Sequence, residues 1–352
     1  MERMEEIRER LSARRLKAFL VSDLKNIRYL TGFRGSSALL LVTGGDAFFF
    51  TDFRYREQAR REVKGCEIVV PAGALLRHVR KTLKGLGIRS VGFEFSAPYG
   101  LYHGLKGDFA LRAVRGMVED LRVRKGREEL RLIRKAVRRA EEAFSEIRPG
   151  IRAGVTERAV ALTLEESLRR KGCSRIPFDI IVASGENAAL PHASPSDKRL
   201  GPGDLVVIDW GGEADGYFSD MTRTLLVRGG ADTERKVEMY NTVLKANRSA
   251  IRTAGAGVRA ADVDRAARDL IGRAGYGDFF GHGTGHGVGL DIHESPRISL
   301  ISKDILGEGM VFTIEPGVYI PGKGGVRIED MVHIGEKGPR LLTRLPKRLD
   351  IV

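Results

Sequence analysis

Two stretches of this chain repeat one pattern. Residues 150–166 read GIRAGVTERAVALTLEE and residues 257–273 read GVRAADVDRAARDLIGR. The pairs Gly150/Gly257, Arg152/Arg259, Ala153/Ala260, Arg158/Arg265 and Ala159/Ala266 keep one constant offset. Each copy follows a long amphipathic helical pattern, residues 127–147 or 234–253. Each is followed by short apolar runs studded with polar residues. Such self-similarity implies two related α/β halves with their sheets side by side and a cleft between. Chance likeness between Ala/Arg-rich helices is the competing explanation, since both compositions favour helix.

The segments after the copies carry charge where strands should be apolar. Residues 205–210 (LVVIDW) read as an almost wholly apolar strand that contains Asp209. Residues 217–224 (YFSDMTRT) carry Asp220 in a second strand. A carboxylate in a buried strand is costly unless it is paired or bound to a cation. Either Asp220 pairs with Arg223 and Asp209 caps a turn, or the two share a cation. Residues 310–317 (MVFTIEPG) put Glu315 at the end of a third apolar strand. Residues 325–333 (GVRIEDMVH) carry Glu329 in a fourth, beside Arg327 and Asp330.

Residues 281–294 read GHGTGHGVGLDIHE and hold His282, His286 and His293, three of the chain's seven histidines. Five glycines alternate with them up to Leu290, which lets the backbone pack closely against a neighbour. A further histidine, His192, follows a proline in ENAALPHA. Oxygen-rich sites with one imidazole suit Mn, Co or Fe, and sometimes Zn. So many carboxylates need more than one cation, and two metals sharing a bridging hydroxide are the usual hydrolytic solution.

The 352 residues suit two domains. In the front part, residues 2–15, 54–63 and 74–83 read as helices. Residues 17–23, 37–43, 47–51, 66–70 and 90–95 read as strands, with a hairpin at Gly44-Gly45-Asp46. This implies an α/β domain with a mixed sheet over 1–120 and a second domain over 121–352, joined near 115–125. Residues 26–37 (NIRYLTGFRGSS) read as a loop or turn. Residues 1–125 hold 25 Lys+Arg against 14 Asp+Glu, while 126–352 hold 35 against 32. A nucleic-acid surface is one reading of that basic front. Aromatics are only 7% and do not interleave with the arginines, so a solvated face is expected instead. No apolar run is long enough to span a bilayer. The N-terminal MERMEEIRER lacks the apolar core of a secretory signal. Cys66 and Cys173 lack CxxC spacing, which points to a reducing, cytoplasmic compartment.

On the motifs quoted above, residues 126–340 resemble the pita-bread metallopeptidases. The family's five metal ligands are matched in order by Asp209 in IDWGG, Asp220 in SDMTRT, His286 in HGTGHGVG, Glu315 in TIEPG and Glu329 in VRIED. The whole chain resembles that family's Xaa-Pro peptidases, aminopeptidase P and prolidase. YLTGFRGSSALLL and FTDFRY look like the former, and PFDIIVASGENAALPHASPSDKRL and HESPRIS like compact prolidases. The implied fold is a two-domain α/β one, a creatinase-type N-terminal domain before a duplicated, pita-bread catalytic domain. The implied cofactors are two divalent metal ions, Mn first, with Co, Fe or Zn as alternatives.

The resemblance also implies roles. Glu315 acts as general base and metal ligand. His192 and His293 donate to the scissile carbonyl, and Arg327 orients the carboxylates or the substrate. His282 stands beside the metal-site histidine and the substrate, and Arg297 grips the free carboxylate of a dipeptide. The expected activity is hydrolysis of the Xaa-Pro bond at the N-terminus of short peptides, by a homodimer. An Xaa-Pro dipeptidase and a catalytically inactive binding module are the alternatives. Methionine aminopeptidases share the ligand set but usually lack such a front domain, and creatinase-type enzymes lack the ligand set.

Overall fold

The computed structural model describes residues 2–230 and 232–352. Its chain packs as two units that divide between Arg122 and Val123. In the first, the run Ala18–Val21 is buried at every position. A strand with no exposed side chain belongs in the middle of a sheet covered on both faces. It lies there in a six-stranded mixed sheet of order Glu67–Val69, Ala47–Phe50, Leu39–Thr43, Ala18–Val21, Ser90–Glu94, Ala110–Val114. Leu39–Thr43 and Ala47–Phe50 form the expected antiparallel hairpin.

The segment read as a loop at 26–37 begins instead inside a helix, Leu24–Thr31. Asp23 caps it by accepting from the Lys25 N–H, and Gly32, at φ +86°, closes it. Polar Asn26 obscured the pattern. It is fully buried because its side chain donates to Glu94 and Glu119 and accepts from Arg122.

The second unit repeats a pair of helices. Arg127–Ile147 and Thr233–Thr253 have 21 residues each, and Glu157–Arg170 and Ala260–Arg273 have 14 each. The duplication is therefore real in architecture, but its register differs from the sequence pairing. Gly257, at φ +84°, corresponds to Gly154, at φ +87°, not to Gly150. The two N–H groups make the same bond, to Leu200 O at 2.9 Å and Leu306 O at 2.8 Å. Isolated bridges at Thr156 and Arg259 precede the two 14-residue helices. The sequence pairing is off by about one helical turn, a shift that leaves an amphipathic face nearly unchanged.

Each helix pair covers a sheet. The first has the order Asp350–Ile351, Met221–Leu226, Leu205–Trp210, Ile181–Ser184. The second has the order Glu294–Ile298, Gly285–Gly287, Val311–Ile314, Asp330–Gly335, Gly338–Leu341. Trp210 is fully buried, stacks on Phe144 at 4.5 Å and donates Nε1–H to Ala140 O, so the first sheet is pinned to the long helix. In the second half Phe312, Ile314, Val263 and Ala267 share one core.

Two strand readings need correction. Residues 217–224 are not one strand: Tyr217–Phe218 belongs to a small hairpin with Glu213–Ala214, and Met221–Leu226 to the main sheet. Asp220 lies in the break. Residues 325–333 likewise split into Gly324–Arg327 and Asp330–Gly335, with Glu329 between. The chain changes ladders at both places, where a backbone leaving regular pairing can aim its side chain off the sheet face. Among the described residues no helix is long and apolar enough to cross a membrane.

Candidate metal centre

The glycines of the histidine-rich stretch explain how the centre is crowded. The strand Gly285–Gly287 runs between Glu294–Ile298 and Val311–Ile314. A Cβ on Gly285 would run into the Thr313 carbonyl, and one on Gly287 into the Ser295 carbonyl. Only the side chain of His286, between them, has room to project. Its Nδ1 lies 3.2 Å from the Gly287 carbonyl, which accepts the Nδ1 proton. That orients the ring and turns Nε2 toward carboxylates, 3.5 Å from Asp220 Oδ2 and 3.3 Å from Glu315 Oε1.

Glu315 follows directly on the strand Val311–Ile314, the place that Asp209 takes near the end of Leu205–Trp210 in the other half. Asp220, His286 and Glu329 each offer one ligand atom, and these lie within 4.8 Å of one another. Glu329 is 1% exposed and Oε2 accepts from Thr222 Oγ1 at 2.8 Å. Asp209 Oδ2 accepts from Arg327 Nη2 at 2.6 Å, while its buried Oδ1 has no partner among the described residues. An orphaned buried carboxylate oxygen, an imidazole that faces carboxylates and further buried carboxylates make a donor set that fits divalent cations. The simple ion-pair explanation does not hold, because Arg223 pairs with Asp330 at 3.0 Å and not with Asp220.

The electrostatics show more buried acids than the neighbouring cations neutralise. Burial, then the charge of Asp209, pushes the Asp220 carboxyl well above its usual range. Burial, then Asp220, Glu315 and Asp209, does the same to Glu329. For Glu315 burial acts upward, but the His286 hydrogen bond and the charges of His286, His282 and Arg327 outweigh it and hold the group at about 2. Burial acts downward on His286, and Glu315 and Asp220 outweigh it to give about 9.

The other predicted residues spread around this cluster. Arg327 is buried and donates to Asp209, to Thr222 Oγ1, to Tyr319 Oη at 2.9 Å and to Pro191 O at 3.1 Å. His282 gives its Nδ1 proton to Gly283 O, so its Nε2 accepts from the Tyr319 hydroxyl at 3.0 Å. The His293 ring stands edge-on to His286 at 4.3 Å and is exposed. His192 is exposed and lies within electrostatic reach of both His282 and His293. Arg297 is exposed and sits directly opposite His286 in the antiparallel ladder, so both side chains project from one sheet face. Tyr319, Thr222 and Thr313, which donates to Glu315, escaped the sequence reading. Hydroxyls in strands carry no charge anomaly, so nothing in composition marks them.

Comparison with known proteins follows the same outline. Residues 131–336 match the family model for metallopeptidase family M24, and residues 3–124 that for the creatinase/prolidase N-terminal domain. The chain is similar to a solved Xaa-Pro dipeptidase from Bacillus anthracis, with 40% identity, TM-score 0.96 and coverage of 100% of this chain and 99% of that one. It is 38% identical to a Pyrococcus horikoshii Xaa-Pro dipeptidase, over 99% of this chain and 98% of the relative. It is also similar to an X-Pro aminopeptidase from Thermotoga maritima, at 35% identity and TM-score 0.88 over 99% of each chain.

Proposed function

The chain belongs to metallopeptidase family M24, and from that premise we propose that it is a metallo-exopeptidase of Xaa-Pro bonds whose preferred substrates are dipeptides. The observation that carries this reading is the buried cluster in which Asp209 Oδ1 lacks a partner among the described residues and His286 Nε2 faces Asp220 and Glu315. Asp209, Asp220, His286, Glu315 and Glu329 would hold two divalent ions, Mn first among the candidates and Co, Fe or Zn after it. When bound, such ions lower the pKa of water toward neutral and polarise a carbonyl.

The chain's own groups complete the reaction. Glu315 takes a proton from the attacking water at its carboxylate and passes it to the leaving proline nitrogen, a tertiary amide that must gain one to depart. His192 and His293 donate hydrogen bonds to the scissile carbonyl oxygen as negative charge grows there. Burial, then the charge of His286, holds His293 below the ordinary imidazole value, so it offers one N–H at neutral pH. Arg327 keeps Asp209 aimed and seats Tyr319, which in turn seats His282.

The dipeptide preference rests on Arg297. Its place opposite His286 puts a guanidinium on the sheet face that carries the centre. A guanidinium there suits the free carboxylate of a bound dipeptide, by two parallel hydrogen bonds. The names carried by the Bacillus anthracis and Pyrococcus relatives favour this order over the aminopeptidase reading, which the Thermotoga relative keeps in play. A homodimer in the cytoplasm completes the proposal, with both cysteines free. The test is turnover of Ala-Pro against Gly-Pro-Pro by Mn-loaded protein. Faster dipeptide turnover supports the reading, and tripeptide-only turnover moves the protein to the aminopeptidases. Failure on both, with metal bound, removes the enzyme assignment.

A further inference from the structure

The exposed loop that carries His192 is fastened at its two ends by one carboxylate. Glu157 is the first residue of the helix Glu157–Arg170 and is fully buried. Its Oε1 accepts from the Ser184 N–H and from Ser184 Oγ, both at 2.7 Å. Its Oε2 accepts from the Ser196 N–H at 3.1 Å and from Ser196 Oγ at 2.6 Å. Asn187 Nδ2 lies 3.2 Å from both oxygens. Ser184 ends the strand Ile181–Ser184, and Ser196 lies four residues beyond His192. Arg327 holds the tip through the Pro191 carbonyl. Among the described residues no hydrogen bond holds the His192 side chain, so its aim depends on how the loop backbone is held.

The other half fastens its histidines in the same way. Asp264, on the helix Ala260–Arg273, is fully buried, and Oδ1 accepts from the Thr284 N–H at 3.0 Å and from Thr284 Oγ1 at 2.8 Å. Arg268, bonded to Asp264, also donates to the His282 carbonyl. Ser184 and Ser196 in one half and Thr284 in the other each give both N–H and side chain to a single oxygen of a buried helical acid. The strand or loop it begins carries the histidines.

We propose that Glu157 is a positioning residue for catalysis: it aims His192 at the substrate carbonyl by clamping Ser184 and Ser196. The assignment rests on His192 being a carbonyl donor. A group misplaced by about 1 Å can cost on the order of 100-fold in rate, so loosening one end of the clamp has a measurable effect. Gln keeps an acceptor for Ser184 but presents an amide to Ser196, which opens the far end only.

The test is a double-mutant cycle in the Mn-loaded protein with Ala-Pro as substrate. His192→Ala should lower kcat by about 100-fold, the scale of one lost oxyanion donor. Glu157→Gln should lower kcat by about 10-fold, with KM and bound metal per chain unchanged. On the His192→Ala background the same change should cost less than about 2-fold, because the group it aims is gone. An equal loss on both backgrounds would overturn the proposal and leave Glu157 as a fold-stabilising acid. Full activity in His192→Ala would instead remove the role of His192, and the proposal with it. Ser196→Ala, which deletes one hydroxyl, serves in the same cycle should Glu157→Gln not fold.

Discussion

The two halves of the second unit share a skeleton and differ in what they contribute. Both pair a 21-residue helix with a 14-residue one over a sheet, and both put an acid at the end of the middle strand, Asp209 in one and Glu315 in the other. The first half adds Asp220 from the gap between two strands and His192 from an exposed loop. The second adds Glu329 from the gap between two strands and His286 from the interior of a strand walled by carbonyls. One half thus presents its histidine on an exposed loop fastened at its ends, and the other holds its histidine within a strand. A metal ligand must hold its position without a substrate, whereas a group that meets substrate must let it enter. The same kind of helical clamp, Glu157 or Asp264, fastens both segments.

The largest effect that sharpens this comparison comes from Asp220, where the first half reaches toward His286. Asp220→Ala should abolish Xaa-Pro hydrolysis and lower the bound metal per chain, read by elemental analysis. Full activity would remove Asp220 from the centre. Next, Asp264→Asn should weaken Mn²⁺ affinity by about 10- to 100-fold in calorimetry, since it loosens the strand of His286, while Glu157→Gln leaves affinity unchanged. Equal losses in both variants would erase the difference between the halves. Arg297→Ala should raise KM for Ala-Pro by about 10-fold or more and leave a tripeptide unaffected, as expected for loss of a charge-assisted carboxylate contact. A parallel loss on both substrates would make Arg297 structural.

The smallest effect concerns His333, on Asp330–Gly335 in the second half. Burial, then Arg134 and Arg340, lowers its pKa below the ordinary 6.5, and its buried Nδ1 has no partner among the described residues. The folded state keeps it neutral while the unfolded chain protonates it below about 6.5. Its contribution is therefore complete above that pH and declines as pH falls toward the lowered folded value. His333→Leu should flatten the acid side of a Tm-against-pH curve by a few degrees, and an unchanged slope would clear His333.

Much of this was legible because carboxylates in apolar runs are anomalous. Asp209 and Glu315 stood out for that reason, and the glycines around His286 announced close backbone approach. The offset of the duplication was not legible, since an Ala/Arg-rich helix slipped by about one turn keeps nearly the same face. The breaks at Asp220 and Glu329 were hidden because a strand that changes ladders keeps its apolar alternation. Glu157 and Asp264 were hidden for a different reason. An acid early in a helix reads as dipole compensation, and only the structure reveals what it clamps. The helix Leu24–Thr31 was lost to Asn26, a polar residue whose burial depends on distant Glu94, Glu119 and Arg122.

The central claim is that the two unequal halves share one centre of two metals. An anomalous difference map at the manganese edge, from crystals of Mn-loaded protein, tests it most directly. The account predicts two peaks per chain about 3.5–4 Å apart, enclosed by Asp209, Asp220, His286, Glu315 and Glu329. A single peak contacting residues of one half, or no peak at these side chains, would contradict it.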